Sequence, residues 1–350
     1  MNSRQRDHIE RDCSEVLKDL GKLDKLKNQK IFISGGSGFM GSWILEILNY
    51  LNTHHAFNTQ VIVLSPHASQ LREKKPHLFM KDWIKTQDED VRNLVEISSE
   101  VEWVIHAAAT PDNRVHSSDP LKVADVITNG TSRLMRSASM LPRVKNILNV
   151  SSGLIYGRLP LGTGPITESS FGGIDCSSVT SAYAESKRMG ETLSSIYRSQ
   201  FRMPLTTVRP FAFIGPYQLL DRPWAINNFI RDALKGDTIR ILGHEGTIRS
   251  YMYPSDMAYW ILRALVDGKD GMTLNLGSPE GYTLRNIAEE VARNFSTSIS
   301  ISASAPHKNM VATTFIPDVS KAKSSLGLEV SVNFQESIKR TLDWYKLELN

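Results

Sequence analysis

Residues 30–34 read K-I-F-I-S, and glycines follow at once at Gly35, Gly36, Gly38 and Gly41. Beyond them Ser42 to Leu51, S-W-I-L-E-I-L-N-Y-L, repeat apolar residues at helical spacing. The apolar run suits a buried parallel strand. A strand, a glycine turn and a helix in that order form a βα unit whose turn can meet a phosphate. Gly35 permits the tight turn, Gly38 lets the backbone approach a pyrophosphate, and Gly41 lets helix and strand pack closely. The helix N-terminus then faces the negative phosphates.

The rest of the chain continues the alternation. Strands are expected at 60–64, 101–105, 144–150, 204–209 and 272–276, and helices at 120–139 and 182–200. Residues 67–81 read as a polar loop. Strands alternating with helices predict an α/β fold, a Rossmann-like doubly wound parallel sheet. Residues 1–29 precede this unit. Ile9, Val16, Leu17, Leu20 and Leu23 suggest one or two amphipathic helices broken at Gly21. This extension is expected to pack on the domain, to sit at a subunit contact, or to stay loosely attached. The unit from 30 to 350 divides into a dinucleotide-binding core, about 30–215 plus 251–280, and a smaller C-terminal substrate-binding lobe from about 159–180, 216–250 and 299–335. The lobe is expected at the C-terminal edge of the sheet, where ligands bind.

The second strand ends in Ser65-Pro66-His67. A carboxylate there would bind the ribose hydroxyls and favour NAD. With Ser65, His67 and Arg72 available instead, the sequence leans toward NADP. After the strand at 101–105, the small residues Ala107 and Ala108 let a cofactor approach the backbone.

Tyr183 and Lys187 stand four apart in the helix at 182–200, on one face. There the ammonium can lower the phenol pKa, and a phenol tuned toward neutrality can exchange a proton with a sugar or alcohol oxygen. Alone, such a pair is more often a solvated helix face. The glycine turn upstream gives it meaning: hydride transfer at a carbon bearing oxygen.

A formal net charge of +4, with no basic run interleaved with aromatics, points away from nucleic acid. Cys13 and Cys176 give neither a disulfide framework nor zinc spacing, so no metal is expected and both thiols read as free in a reducing compartment. No signal-peptide pattern and no bilayer-length apolar run are present, so no membrane partner is expected and the expected location is cytoplasmic.

As a set, these pieces resemble the extended short-chain dehydrogenases/reductases that modify nucleotide sugars, the NAD-dependent epimerase/dehydratase family. The likeness spans about residues 30–346. It rests on Gly35-x-x-Gly38-x-x-Gly41, Asp90-Val91, His106-Ala107-Ala108, Asn129-Gly130-Thr131, Val150-Ser151-Ser152 running to Tyr156-Gly157, Tyr183-x-x-x-Lys187, Arg209-Pro210, Gly215-Pro216, Arg249 to Tyr253 with Asp256, and Pro317-Asp318. The resemblance implies roles. Tyr183 is the acid/base, Lys187 holds the nicotinamide ribose and keeps the phenol pKa down, and Ser152 hydrogen-bonds the reacting sugar oxygen. Gly35, Gly38, Phe39, Met40, Gly41, Ser65, Asp90, Val91, Ala107, Ala108, Asn129 and Pro210 join Tyr183 and Lys187 in binding NAD or NADP. Asp90 and Val91 would contact the adenine, and Asn129 would brace the catalytic geometry. Arg249, whose guanidinium fork matches phosphate oxygens, would clamp the diphosphate of a nucleoside-diphosphate sugar, unless it forms a surface salt bridge. A homodimer through helices of the core is implied.

Departures from the family pattern narrow the chemistry. The 4,6-dehydratases carry an acidic pair after the position of Ser152, and the decarboxylases keep a glutamate where Leu154 stands. Here those positions are Gly153 and Leu154. Epimerisation through a 4-keto intermediate, or reduction of a 4-keto sugar, needs neither acid. The alternatives are a dehydratase drawing its acids from Glu168 and Asp175, or a non-catalytic cofactor-bound regulatory protein. Ala212 replaces a frequent asparagine, and Thr313-Thr314 stand where a second arginine is frequent. Asn228, Arg231 or Lys308 could compensate in holding the diphosphate.

Overall fold

Seven parallel strands carry the glycine turn in the computed structural model, which describes residues 1–110, 112–160, 162–303 and 311–349. In chain order the strands are β1 Lys30–Ser34, β2 Gln60–Ser65, β3 Ile84–Asp88, β4 Trp103–His106, β5 Asn146–Val150, β6 Leu205–Pro210, β7 Ile239–Ile241, β8 Ile248–Arg249, β9 Met272–Leu276, β10 Tyr282–Thr283, β11 Ile301–Ala303 and β12 Thr314–Phe315. The helices are α1 Ser3–Val16, α2 Phe39–His54, α3 Gln70–Lys74, α4 Asn113–Ser118, α5 Pro120–Ala138, α6 Ala182–Phe201, α7 Ala225–Leu234, α8 Pro254–Asp267, α9 Leu284–Arg293, α10 Ser320–Leu326 and α11 Phe334–Leu349.

The main sheet runs β3-β2-β1-β4-β5-β6-β9, and every pairing in it is parallel. Strand order reverses between β1 and β4, which pair with Ser34 opposite His106. That reversal opens a crevice at the carboxyl ends of the strands. Each described residue of β4 and β5 is buried, because helices cover both faces of a parallel sheet.

Two expectations need correcting. The third core strand is β3, and the segment expected there at 101–105 is the fourth strand, beginning at Trp103. β3 is an edge strand in which Ile84 alone is buried, so its sequence, I-K-T-Q-D, carries no apolar run. The polar stretch 67–81 is also not all loop, since it contains α3 and a 3₁₀ turn at Pro76–Phe79.

Smaller sheets form beside the carboxyl edge. β7 pairs with β11, and β8 lies between β10 and β12. Tyr282–Arg293, assigned to neither part from sequence, supplies β10 and α9 here. The N-terminal segment is firmly packed rather than loosely attached. Ile9, Cys13, Val16, Leu17, Leu23 and Leu26 are buried in the same apolar cluster as Trp43 and Trp260. Asp12, fully buried, accepts hydrogen bonds from Tyr253 Oη at 2.5 Å and Arg340 Nη1 at 2.8 Å. A buried charge needs such partners, and these tie α1 to the start of α8 and to α11. Among the described residues, no helix is long and apolar enough to cross a membrane.

Candidate functional site

The glycine turn is shaped by close backbone approaches. Gly35 has φ +74°, and a Cβ on it would stand 2.6 Å from the Ala107 carbonyl oxygen and 2.8 Å from the Ala108 nitrogen. Gly35, Ala107 and Ala108 are thereby brought together at the crevice. A Cβ on Gly41 would lie 2.3 Å from the Gly36 carbonyl oxygen, so this glycine packs helix on turn. Gly38 differs. Its Cβ would meet only the Gly35 carbonyl oxygen, at 3.4 Å, and its backbone is in the ordinary extended region. It is exposed and caps α2 with no side-chain hydrogen bond and no acid in the first turn. The first N–H groups of this 16-residue helix therefore face an open, electropositive position. Phe39 and Met40 form the half-buried first turn, and Phe39 packs toward Phe213.

Ser65 is buried at the end of β2, and its hydroxyl bonds that of Ser37 at 2.6 Å. In register across from Ser65 stands Asp88, whose carboxylate accepts from Ser69 N–H at 2.9 Å. A carboxylate thus does stand at this end of the sheet, contributed by β3 rather than β2. That removes the argument for NADP drawn from a missing acid. Asp90 receives Arg92 through Nε at 2.9 Å and Nη2 at 2.8 Å, which holds its carboxyl below the usual range. Val91 is buried against Gly130, where a Cβ would lie 2.6 Å from Val91 Cγ1.

The expected brace is not where the sequence put it. Asn129 is exposed and donates to Asp125, one turn earlier on α5, rather than to a catalytic side chain. Thr131, two residues on, faces the sheet instead. Its hydroxyl donates to the Ile127 carbonyl at 2.6 Å, so it accepts from His106 Nε2 at 2.9 Å. His106 Nδ1 then accepts from Ser34 Oγ at 2.8 Å. Burial, and secondarily the Lys187 charge, push His106 down to about 3, so the ring is neutral and suits this chain of bonds. The chain locks the ends of β1 and β4 to α5.

Tyr183 and Lys187 are both buried, on α6. Lys187 Nζ donates to the Val150 carbonyl, the last of β5, at 2.8 Å. Burial lowers its pKa to about 8, with Glu191 acting in the opposite sense. Burial raises the Tyr183 pKa, and the Ser152 side chain at its hydroxyl pulls the other way. The Lys187 ammonium, expected to hold the phenol pKa down, is turned to a carbonyl, and desolvation is the largest influence on the phenol. Ser152 joins Tyr183 by position: it caps the 3₁₀ turn Gly153–Tyr156, and its Oγ accepts from Leu154 N–H at 3.1 Å. Sequence reasoning missed His116 of α4, whose ring stacks on Tyr183 with centroids 4.3 Å apart. A lone histidine in a polar stretch carries no signal of that contact.

Gly153 faces an aromatic pair. A Cβ there would stand 2.9 Å from Phe315 and 3.1 Å from Phe211, whose rings are 4.5 Å apart. Leu154 is about half exposed. The two acids considered as substitutes are engaged elsewhere. Glu168 accepts from Asn275 N–H at 2.8 Å, and Asp175 accepts from the Ser177 N–H and hydroxyl in an exposed turn. Pro210 is buried at the end of β6, opposite Leu276.

Arg249 on β8 donates from Nη1 to the Ile248 carbonyl at 2.8 Å and the Thr313 carbonyl at 3.0 Å, and from Nη2 to Thr313 Oγ1 at 3.0 Å. Burial lowers its pKa. Among the described residues no carboxylate pairs with it, so it is not a surface salt bridge. Asn228 Oδ1 accepts from Arg231 Nη2 at 2.8 Å, so these two candidates are bonded to each other. Lys308 lies outside the described residues. Neither Asn228 nor Arg249 bonds Tyr183, Ser152 or Lys187 directly among the described residues. No cluster of three metal-ligating side chains occurs among them either.

Residues 31–277 match the model of the NAD dependent epimerase/dehydratase family. The chain is similar to UDP-glucuronic acid decarboxylase 3 of Arabidopsis thaliana, 30% identical over 332 residues, covering 92% of this chain and 91% of that protein. In structure it is similar to UDP-glucuronic acid 4-epimerase from Bacillus cereus in complex with UDP-glucuronic acid and NAD, with TM-score 0.77 and 22% identity, covering 91% of this chain and 100% of that one. DesIV, a dTDP-glucose 4,6-dehydratase from Streptomyces venezuelae with NAD bound, superposes with TM-score 0.77 at 22% identity over 91% of this chain and 97% of that one.

Proposed function

This chain belongs to the NAD-dependent epimerase/dehydratase family, and on that premise we propose that it transfers hydride at C4 of a nucleoside-diphosphate sugar, as a 4-epimerase or 4-ketoreductase. The observation that carries the reading is the contrast at 152–154. Ser152 keeps its hydroxyl at the Tyr183 phenol, while the next two side chains cannot exchange protons. An acid at 153 would collide with Phe315 and Phe211. Loss of water or of carbon dioxide calls for proton chemistry beyond one phenol, and Glu168 and Asp175 are otherwise bonded.

The residues fit a dinucleotide. The open face of Gly38 and the uncapped start of α2 suit a pyrophosphate, which Gly35 and Gly41 allow the turn to meet. Asp90 and Val91 would lie along the adenine and Lys187 along a ribose. When bound, NAD supplies the hydride acceptor or donor. The chain's own groups handle the proton. Tyr183 as the phenol donates the proton to O4 during reduction, and as the phenolate takes that proton from O4 during oxidation. Ser152 hydrogen-bonds O4 and fixes its distance from the phenol. Arg249, already oriented by Thr313, takes the diphosphate through charge-assisted hydrogen bonds.

Product analysis by NMR tests the reading. Incubation with NAD(H) and nucleoside-diphosphate glucoses, glucuronic acid and 4-keto-6-deoxy sugars is expected to yield C4 epimers or 4-hydroxy products. Accumulation of a 4-keto-6-deoxy sugar from a glucose substrate, or of a pentose from the uronic acid, overturns it. Arg249→Ala is expected to weaken nucleotide-sugar binding by about 1.5–3 kcal/mol for each charge-assisted bond lost, with NAD affinity unchanged in calorimetry. Equal sugar-nucleotide affinity in that variant removes Arg249 from the substrate site.

A further inference from the structure

The Tyr183 ring is held by a residue outside the motifs named above. His116 lies parallel to it, with an interplanar angle of 17° and centroids 4.3 Å apart. Both residues are buried. Tyr183 also packs with Val123 and Ile127 of α5, and with the partly buried Val115 of α4. The phenol ring thus has an imidazole on one plane and aliphatic groups of α5 about it, which restricts its rotation as close packing does.

The histidine is itself fixed. Its Nε2 lies 2.7 Å from the Thr110 carbonyl oxygen, which only accepts, so Nε2 carries a proton and the ring orientation follows. The helix that bears it is pinned at its start. Asp112, buried, accepts from Arg114 N–H at 2.9 Å, pairs with the Arg114 guanidinium, and receives Arg222 from the segment that follows Gly215-Pro216. A chain of contacts therefore runs from Arg222 through Asp112 and α4 to the face of Tyr183. The imidazole is stacked rather than aimed at the phenol oxygen, so it acts through the tyrosine and not on the sugar.

We propose that His116 is a positioning residue for the acid/base: its stacked ring holds the Tyr183 hydroxyl in the geometry that proton transfer requires. The proposal rests on the C4 hydride-transfer reading for its kinetic consequence, while the orientation of the ring is measured separately. Misplacement of a reacting group by an ångström lowers rate without altering binding.

The test compares His116→Ala with His116→Phe in the full-length protein. His116→Ala is expected to lower kcat by about 10²-fold, with KM for the nucleotide sugar and Kd for NAD within about threefold of wild type. His116→Phe keeps a flat ring on the phenol and is expected to recover most of the lost kcat. The second measurement needs no turnover: ring resonances of ¹³C-labelled tyrosine, with Tyr183 assigned by its disappearance in Tyr183→Phe. The Tyr183 resonance is expected to shift in His116→Ala and to keep an aromatic-shielded position in His116→Phe. Wild-type kcat in His116→Ala, a loss confined to KM, or equal kcat losses in both variants overturns the proposal. An unmoved Tyr183 resonance in His116→Ala overturns it as well. If the wild-type protein turns over no nucleotide sugar, the C4 reading fails, and the resonances alone then decide whether His116 orients the ring.

Discussion

Tyr183→Phe is expected to lower kcat by about 10²–10⁴-fold, the usual contribution of a positioned proton-transfer group, while NAD affinity in calorimetry stays at the wild-type value. The substitution removes one oxygen and keeps the ring. That ring packs with Val123, Ile127 and His116, so the variant retains its local packing. What it loses is the group that carries the proton and the partner of the Ser152 side chain. A rate near wild type takes Tyr183 out of the mechanism.

Two glycines of the same turn are expected to fail in different ways. Gly38→Val meets only the Gly35 carbonyl oxygen, at 3.4 Å from its Cβ, and its backbone conformation is open to any residue. Its thermal midpoint should therefore stay close to wild type, while calorimetry shows dinucleotide binding abolished, because the branched side chain occupies the approach of the pyrophosphate. Gly41→Ala places a methyl 2.3 Å from the Gly36 carbonyl oxygen and 2.4 Å from Gly36 Cα. Backbone must move, and overpacking of this kind costs about 1–3 kcal/mol or more, so its thermal midpoint falls. Undiminished NAD binding by Gly38→Val makes the turn a structural feature alone.

Much of the sheet was legible because its strands are short apolar runs bounded by polar residues. β1 and β9 occur at the limits expected from sequence. β3 escaped because an edge strand buries little, here Ile84. Asp88 escaped with it, and with Asp88 the carboxylate beside Ser65. The Tyr183–Lys187 spacing was equally legible, since these two residues share a helix face wherever that helix lies. The direction of the phenol pKa was not legible. It depends on how deeply α6 is covered and on the Val150 carbonyl that takes the ammonium, 37 positions away in the chain. That Asn129 bonds Asp125 at the surface while Thr131 reaches His106 was not legible either, because two polar positions on one helix differ only in whether they face solvent or the sheet.

The sequence by itself determined what is local and periodic: the strand, glycine turn and helix, the parallel alternation, the Tyr183–Lys187 face, and the lack of an acid at 153 and 154. Those properties follow from residue type and spacing over a few positions. Tertiary structure alone decided which groups meet and which are dry. It set His116 on Tyr183, turned Arg249 to Thr313 rather than to a carboxylate, packed Phe211 and Phe315 where a side chain at 153 would project, and sealed α1 into the core through Asp12. Each of these is a contact between segments far apart in the chain. Desolvation and hydrogen-bond partnership, which set charge and proton affinity, exist only once those segments have come together.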